Sequence, residues 1–369
     1  YGDCDEGSLL RARDLSLTVT DSLAQASHRI ADLFTPSLRL GVTGLARSGK
    51  TGFITALIRN LTQGGRLPFF APYADGRLLS ADFQPQPDDN VPPFHYQAHV
   101  AALAADPPAW PESTRRVSEV RVALAFLPQH PIRRALGIRR LNLDIVDYPG
   151  EWLLDLAMLG DSYAAWSQDA RTRARRIRGG PAGTAWLAFV SGLDPAAAED
   201  ERTAIEGARL FTDYLHAVRA QSSTTTLGPG RFLMPGDLEG SPLLTFFPLD
   251  LALDSTPPRG SLAAMMARRY ESYLAHVVRP FFRDHFTRLD RQIVLVDALA
   301  AFNAGPEALT DLEGALSGIL DCFNVGRGTF FSALLRPRID RILFAATKAD
   351  HLHHTSHDRL EAILKRMVE

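Results

Sequence analysis

Gly44-Leu-Ala-Arg-Ser-Gly49-Lys50-Thr51 has the spacing G-x-x-x-x-G-K-S/T, an arrangement suited to holding the phosphates of a nucleotide. Glycines in such a turn let the backbone wrap a β-phosphate. The amides of Ala46, Arg47, Ser48, Gly49, Lys50, Thr51 and Gly52 then point inward, and a helix N-terminus adds partial positive charge. Lys50 is placed to bridge β- and γ-oxygens, and the Thr51 hydroxyl to ligate magnesium. Only three of the 40 Lys and Arg residues are lysines, and two of them, Lys50 and Lys348, fall inside motifs. A slim ammonium on a flexible stem differs physically there from a planar guanidinium. The bland alternative is an incidental glycine-rich turn. Arg47 either leans over the phosphates or points to solvent.

Asp147-Tyr-Pro-Gly150-Glu151 closes an apolar run, where a carboxylate can hold magnesium through its water shell. Gly150 can offer an unhindered amide to a γ-phosphate, so that loss of this phosphate would release the segment that follows. By itself D-x-P-G is a common turn; its order after the phosphate loop favours the functional reading. Glu151 stands where Ras-like enzymes carry a glutamine that orients water. A carboxylate there can accept a proton yet repels the γ-phosphate, so slow turnover is expected. The candidate catalytic set is Lys50, Gly150, Glu151 and Arg47. Thr114 precedes the next apolar strand and is either the second magnesium threonine or a solvated loop residue.

Thr347-Lys348-Ala349-Asp350 resembles the N-K-x-D element of GTPases, in which the Asp carboxylate accepts from guanine N1 and N2 and the Lys stem packs along the base. Thr replaces Asn, which leaves the bracing role of that amide open; the bland reading is a polar strand end. His351, His353, His354 and His357 read as a solvated or capping cluster rather than a transition-metal site. Arg171, Arg173, Arg175, Arg176 and Arg178 read as a solvated helix face, with an anionic partner surface as the lesser alternative.

These residues need strands ending at turns and helices starting from them. Leu38 to Thr43 reads as a strand, and Thr51 to Leu61 has a helical apolar pattern. Leu67 to Pro111 is dense in proline and reads as a long irregular excursion. Val117 to Leu127, Leu141 to Val146, Gln292 to Asp297 and Ile339 to Ala346 read as strands. Leu153 to Arg178 and Pro306 to Phe323 read as helices, and helical segments recur from Asp200 to Phe286 around a Gly/Pro-rich interruption. The expected fold is α/β: a P-loop NTPase core of the Ras-like GTPase type, with a mainly parallel sheet, over residues 36–165 and 289–369. Residues 166–288 form an inserted, mainly helical lobe, and residues 1–35 a helical extension.

With 369 residues, 46% apolar and 22% charged, the chain has the composition of a globular protein large enough for two lobes. A net charge of -2 supplies no global positive field, so no nucleic-acid partner is expected. Two cysteines cannot build a disulfide framework, and no uncharged apolar run reaches the roughly 18 residues of a membrane span. The cytoplasm is the expected home, with the inner-membrane surface as a peripheral alternative.

Together, the stretches Gly41 to Thr51, Pro107-Pro-Ala-Trp-Pro111, Asp147 to Asp155, Asp290 to Asp297 and Phe344 to Asp350 resemble the YcjX family of bacterial stress-associated, Ras-like P-loop proteins. The resemblance implies a GTP/GDP site with Mg2+, a role in envelope or heat stress, and an unidentified protein partner. It also implies a further strand and a base-closing loop beyond Glu369. The expected function is a guanine-nucleotide switch that hydrolyses GTP slowly; the alternatives are a non-hydrolysing nucleotide-dependent scaffold and an ATP-using P-loop protein.

Overall fold

Strands β1 (Ser37–Gly44), β2 (Leu78–Gln84), β3 (Ser118–Phe126), β4 (Arg139–Asp147), β5 (Arg291–Val296) and β6 (Arg341–Ala346) form one sheet in the order β2-β3-β4-β1-β5-β6. The structure is a computed structural model that describes residues 35–44, 48–111, 114, 116–131, 134, 137–177, 179–221, 227–253, 256–324, 339 and 341–368. The helix expected before the core therefore lies outside the described residues.

β1 runs parallel to β4 and β5, and β5 to β6, whereas β3 is antiparallel to β4 and β2 to β3. Register places Val42 opposite Asp147, Gly44 opposite Leu295 and Val296 opposite Ala346. The C-terminal ends of all four parallel strands thus share one edge, which is where open α/β sheets bind ligands.

Side chains alternate across the sheet with the two-residue period of a strand. Val42, Ile145 and Leu295 face helix α1 (Lys50–Gln63), which buries Ile54, Ile58 and Leu61 at helical spacing against them. Burying each of these side chains contributes roughly 1.5–3 kcal/mol. On the opposite face Val294 and Val296 meet a separate helical cluster that includes Leu312, Leu316 and Leu360.

The proline-dense stretch is more regular than expected, because it contains β2 and helix α2 (Tyr96–Ala104). Prolines 85, 87, 92 and 93 lie between the two elements, so composition averaged over the stretch hides them. The helix expected from Leu153 to Arg178 is also interrupted. It divides into α3 (Trp152–Leu156), a 3-10 turn, and α4 (Tyr163–Arg176), where the Ser162 hydroxyl accepts from the Ala165 amide at 3.2 Å and starts a new helix.

Helices α5 (Gly180–Ser191), α6 (Glu201–Gln221), α7 (Leu262–Tyr273) and α8 (Arg279–Asp284) pack around a cluster rich in aromatic side chains. Trp186 stacks on Tyr214 with ring centres 5.0 Å apart, and Trp166 packs on Phe246 at 5.4 Å. The cluster takes in Val146 and Tyr148 from the end of β4 and Trp152, Leu153 and Leu156 from α3. The division expected between residues 165 and 166 falls inside α4, and the aromatic cluster crosses it, taking in residues as far back in the chain as Val91 and Val117. Helices α9 (Ala298–Ala304), α10 (Pro306–Asn324) and α11 (His357–Val368) complete the β5–β6 side.

Candidate functional site

Gly49 ends the turn between β1 and α1 with φ 81, a left-handed conformation that costs glycine little, and among the described residues no side chain caps the first turn of α1. Its leading amides are therefore not taken by a cap. Leu45, Ala46 and Arg47 lie outside the described residues, and with them the expected amide contacts of Ala46 and Arg47 and the guanidinium of Arg47. Ser48 is buried, and its hydroxyl has no hydrogen-bond partner among the described residues. Lys50, Thr51 and Gly52 open α1. A Cβ on Gly52 would lie 3.6 Å from the ring of Trp110, an exposed indole of the Pro-Pro-Ala-Trp-Pro stretch.

Lys50 Nζ donates to the Tyr148 carbonyl at 2.8 Å and lies 2.8 Å from Asp147 Oδ1. The latter contact is an ion pair without hydrogen-bond alignment. The Thr114 hydroxyl donates to Asp147 Oδ2 at 2.7 Å. Two of the three expected metal residues, Thr114 and Asp147, are thus in contact, and Thr51 adjoins Lys50 at the helix start. Among the described residues no three His, Cys, Asp or Glu side chains converge as a metal cluster. The donors at this edge are one carboxylate and hydroxyls. Such an oxygen set suits magnesium, which keeps waters and shares phosphate oxygens rather than filling an all-protein cage, and the unpartnered Ser48 hydroxyl leaves a donor facing the same turn.

Glu151 follows Gly150 as expected, but its surroundings come from the lobe. Arg219 on α6 donates from Nη2 to Glu151 Oε1 at 2.5 Å. Beyond it, Trp152 Nε1 donates to the Met234 carbonyl at 3.1 Å, and the Arg231 guanidinium lies 3.3 Å over the Trp152 ring. Asp155 accepts from the Tyr273 hydroxyl at 2.8 Å and from the Gly230 amide at 2.5 Å. Gly230 presses on the chain so closely that a Cβ there would sit 1.9 Å from the Glu151 carbonyl oxygen. The segment after Gly150, expected to be released with a phosphate, is built into a packed core, so such a release would engage the lobe.

Burial pushes the Asp155 carboxyl up to about 6, against the lowering effect of the Tyr273 and Gly230 bonds. Its value in the folded chain lies above the ordinary 3.8, so from about pH 4 to pH 6 the folded state holds this proton more tightly than the unfolded state. Stability contributed by this group is present below pH 4 and is lost as pH rises through 6, by about 3 kcal/mol. Asp155→Asn keeps an acceptor for Gly230 and adds a donor toward Tyr273. It is expected to remove that slope and to unfold at higher urea than the parent at pH 8, with the two proteins converging near pH 4. Parallel pH profiles would show that Asp155 is not the group responsible.

At the far end of the edge, the Thr347 amide donates to the Val296 carbonyl at 2.9 Å and its hydroxyl lies 3.4 Å from the same oxygen. Thr347 thus braces β6 on β5. Lys348 adopts φ 58 and turns its ammonium to Asp297 Oδ2 at 2.5 Å, while Asp297 Oδ1 accepts from the Ala300 amide and caps α9. Asp350 is exposed on a short 3-10 turn, and His357 Nε2 donates to the carbonyl of Ala349 in that turn at 2.9 Å. In the arginine run Arg175 and Arg176 are exposed, as a solvated face would be; Arg176 also reaches Asp311 on α10 at 2.8 Å and Arg171 reaches Asp250 at 2.7 Å, while Arg178 lies outside the described residues.

Sequence reasoning missed Arg219, Gly230 and the structural roles of Asp155 and Asp297. No short motif carries the first two, each of which meets its partner across a long sequence separation. Asp155 and Asp297 do lie within the Asp147 to Asp155 and Asp290 to Asp297 stretches.

The profile of the YcjX-like family, DUF463, matches residues 38–369. A protein of Escherichia coli (strain K12) named Ras-like GTPase YcjX is 42% identical over 342 residues, covering 90% of this chain and 73% of its own length. A protein of the same name from Shewanella oneidensis is 36% identical over 375 aligned positions, covering 96% of this chain and 77% of its own length.

Proposed function

The chain belongs to the YcjX-like family, and from that premise and the geometry around Lys50 we propose that it is a guanine-nucleotide switch that binds GTP or GDP with magnesium and hydrolyses GTP slowly. The observation that carries this reading is the trio at the strand-end edge: Lys50 on the buried Asp147, and Asp147 on Thr114. A lysine at a helix start held by a carboxylate is a cation waiting for an oxyanion, and phosphate oxygens meet it as well as Asp147 does. Thr51, Asp147 and Thr114 would hold magnesium, which when bound supplies positive charge against the phosphates. Lys50 binds β- and γ-oxygens, Ser48 and the amides through Gly52 line the phosphates, and Gly150 offers its amide to the γ-phosphate. Glu151 accepts from the attacking water. Intrinsic rates on the order of 10⁻⁴ to 10⁻² per second are expected for such sites.

Asp350 reads guanine, with Thr347 bracing its loop and Lys348 set beside it. Residues 36–165 and 289–369 serve as the nucleotide-binding core and residues 166–288 as the coupled lobe, whose packing takes in Val146, Tyr148 and Trp152 of the core. The family resemblance supports a place in a bacterial stress response, in the cytoplasm or at the inner-membrane surface, with a protein partner. Among the described residues no helix is long and apolar enough to cross a membrane.

Calorimetry of the purified chain with GTP, GDP and ATP, each with magnesium, tests the reading. Guanine nucleotides are expected to bind, and ATP to compete at least tenfold less well; equal affinities would favour the ATP-using alternative. Single-turnover hydrolysis separates a switch from a non-hydrolysing scaffold. Asp350→Asn is expected to weaken GTP and improve XTP, because an amide meets the altered edge of xanthine where a carboxylate pairs with the two donors of guanine. Equal loss of both nucleotides would reduce Asp350 to a loop residue.

A further inference from the structure

We propose that Arg219, carried by the helical lobe, is a positioning residue for hydrolysis that cancels the charge of Glu151 and fixes its orientation beside the nucleotide. The inference rests on the hydrolytic reading above and adds a residue to it from outside the motifs.

A glutamate in this position has a defect that a glutamine lacks: its negative charge faces a triphosphate. In a site screened from water such repulsion is much stronger than at a surface. The fold supplies the remedy. Glu151 is only 9% exposed, and the Arg219 guanidinium meets its Oε1 from across 68 residues of sequence. A charge-assisted contact of this length is among the stronger hydrogen bonds a protein makes. It neutralises one oxygen and sets the plane of the carboxylate, so that the acceptor directed at water is placed rather than free to rotate.

The support behind Arg219 is rigid. It occupies the last turn of α6, whose Phe211, Tyr214, Leu215 and Val218 are buried in the aromatic cluster. From the other side, the Gly230 backbone closes on the Glu151 carbonyl. Glu151 is therefore held by two parts of the lobe, one at its carboxylate and one at its main chain. The remaining charged side chains near α3 are engaged elsewhere: Arg231 pairs with Asp237 at 2.9 Å over the Trp152 ring, and Asp155 bonds Tyr273 and Gly230. Among the described residues, Arg219 is the cation placed on Glu151.

The test uses the full chain with Arg219→Met, which keeps the apolar stem, Arg219→Lys, which keeps the charge, and each combined with Glu151→Gln. GTP affinity is measured by calorimetry, hydrolysis by single turnover at saturating GTP and magnesium, and folding by the melting temperature. Arg219→Met is expected to lower the hydrolysis rate tenfold or more while GTP affinity stays within about twofold. Arg219→Lys should recover part of the loss, and in the Glu151→Gln background Arg219→Met should change the rate little, because no charge remains to cancel. An unchanged rate in Arg219→Met overturns the proposal. So does an equal fall in the Glu151→Gln background, which would make Arg219 act independently of Glu151. A parallel fall in melting temperature and affinity, without recovery in Arg219→Lys, would reduce the residue to a structural tie. Failure of the unaltered chain to bind GTP at all is a different result, since it removes the nucleotide reading itself and this inference with it.

Discussion

Lys50→Ala is expected to bring GTP affinity below detection and also to destabilise the nucleotide-free protein by about 3 kcal/mol. The first effect follows from deleting the side-chain cation of the proposed phosphate site. The second follows from the ion pair, because the Lys50 and Asp147 side chains are only 10% and 3% exposed. Removing one partner of such a pair strands the other charge away from water, at a cost of about 3–5 kcal/mol when burial is complete. The two effects separate in a double variant. Lys50→Ala with Asp147→Asn removes the stranded charge and is expected to regain most of the stability, measured by urea unfolding, while GTP binding remains absent in calorimetry. A Lys50→Ala protein with unchanged affinity would overturn the phosphate-site assignment. If the double variant is no more stable than Lys50→Ala, the loss came from packing rather than from charge.

Gly230→Ala should be the most damaging single-methyl change near the site. The added Cβ would lie 1.9 Å from the Glu151 oxygen, 2.4 Å from its carbonyl carbon and 3.1 Å from the Trp152 nitrogen, all backbone atoms that cannot swing aside. Overpacking of this kind typically costs about 1–3 kcal/mol. Here the relief must come from moving the segment that holds Glu151. Hydrolysis is thus expected to fall tenfold or more, with a lower melting temperature and GTP affinity less affected. Gly240, at φ 76 with open space around it, is the contrast, because strain there would act on folding alone. Unaltered stability and turnover in Gly230→Ala would mean that the lobe yields readily at this contact.

The elements around the phosphate turn were legible because their signals are local. A strand, a spaced glycine and lysine, and an amphipathic helix occupy adjacent residues, and Asp147 and Asp350 stand at ends of apolar runs. β2 and α2 were not legible, since short elements between prolines resemble irregular chain when composition is averaged. Thr347 could be read as a departure from the usual asparagine, but its bond to Val296 depends on β5 and β6 being neighbours. Arg219 and Gly230 look ordinary in the sequence. Their importance arises only when α6 and the chain after Pro229 meet the residues that follow Gly150, a contact set by the packing of the aromatic cluster.

Tyr148 joins two environments within one residue. Its carbonyl holds Lys50, while its ring is buried in the lobe against Phe281, with its hydroxyl donating to Gln292 of β5 at 2.7 Å. A nucleotide that draws Lys50 off this carbonyl removes a restraint on a side chain packed among lobe residues, and a force on the lobe is felt at the carbonyl. Linkage makes this relation reciprocal. If GTP favours one arrangement of the lobe by a given factor, a protein that grips that arrangement tightens GTP by the same factor. One that grips the other arrangement loosens it equally, and so can promote nucleotide release without touching the phosphate site.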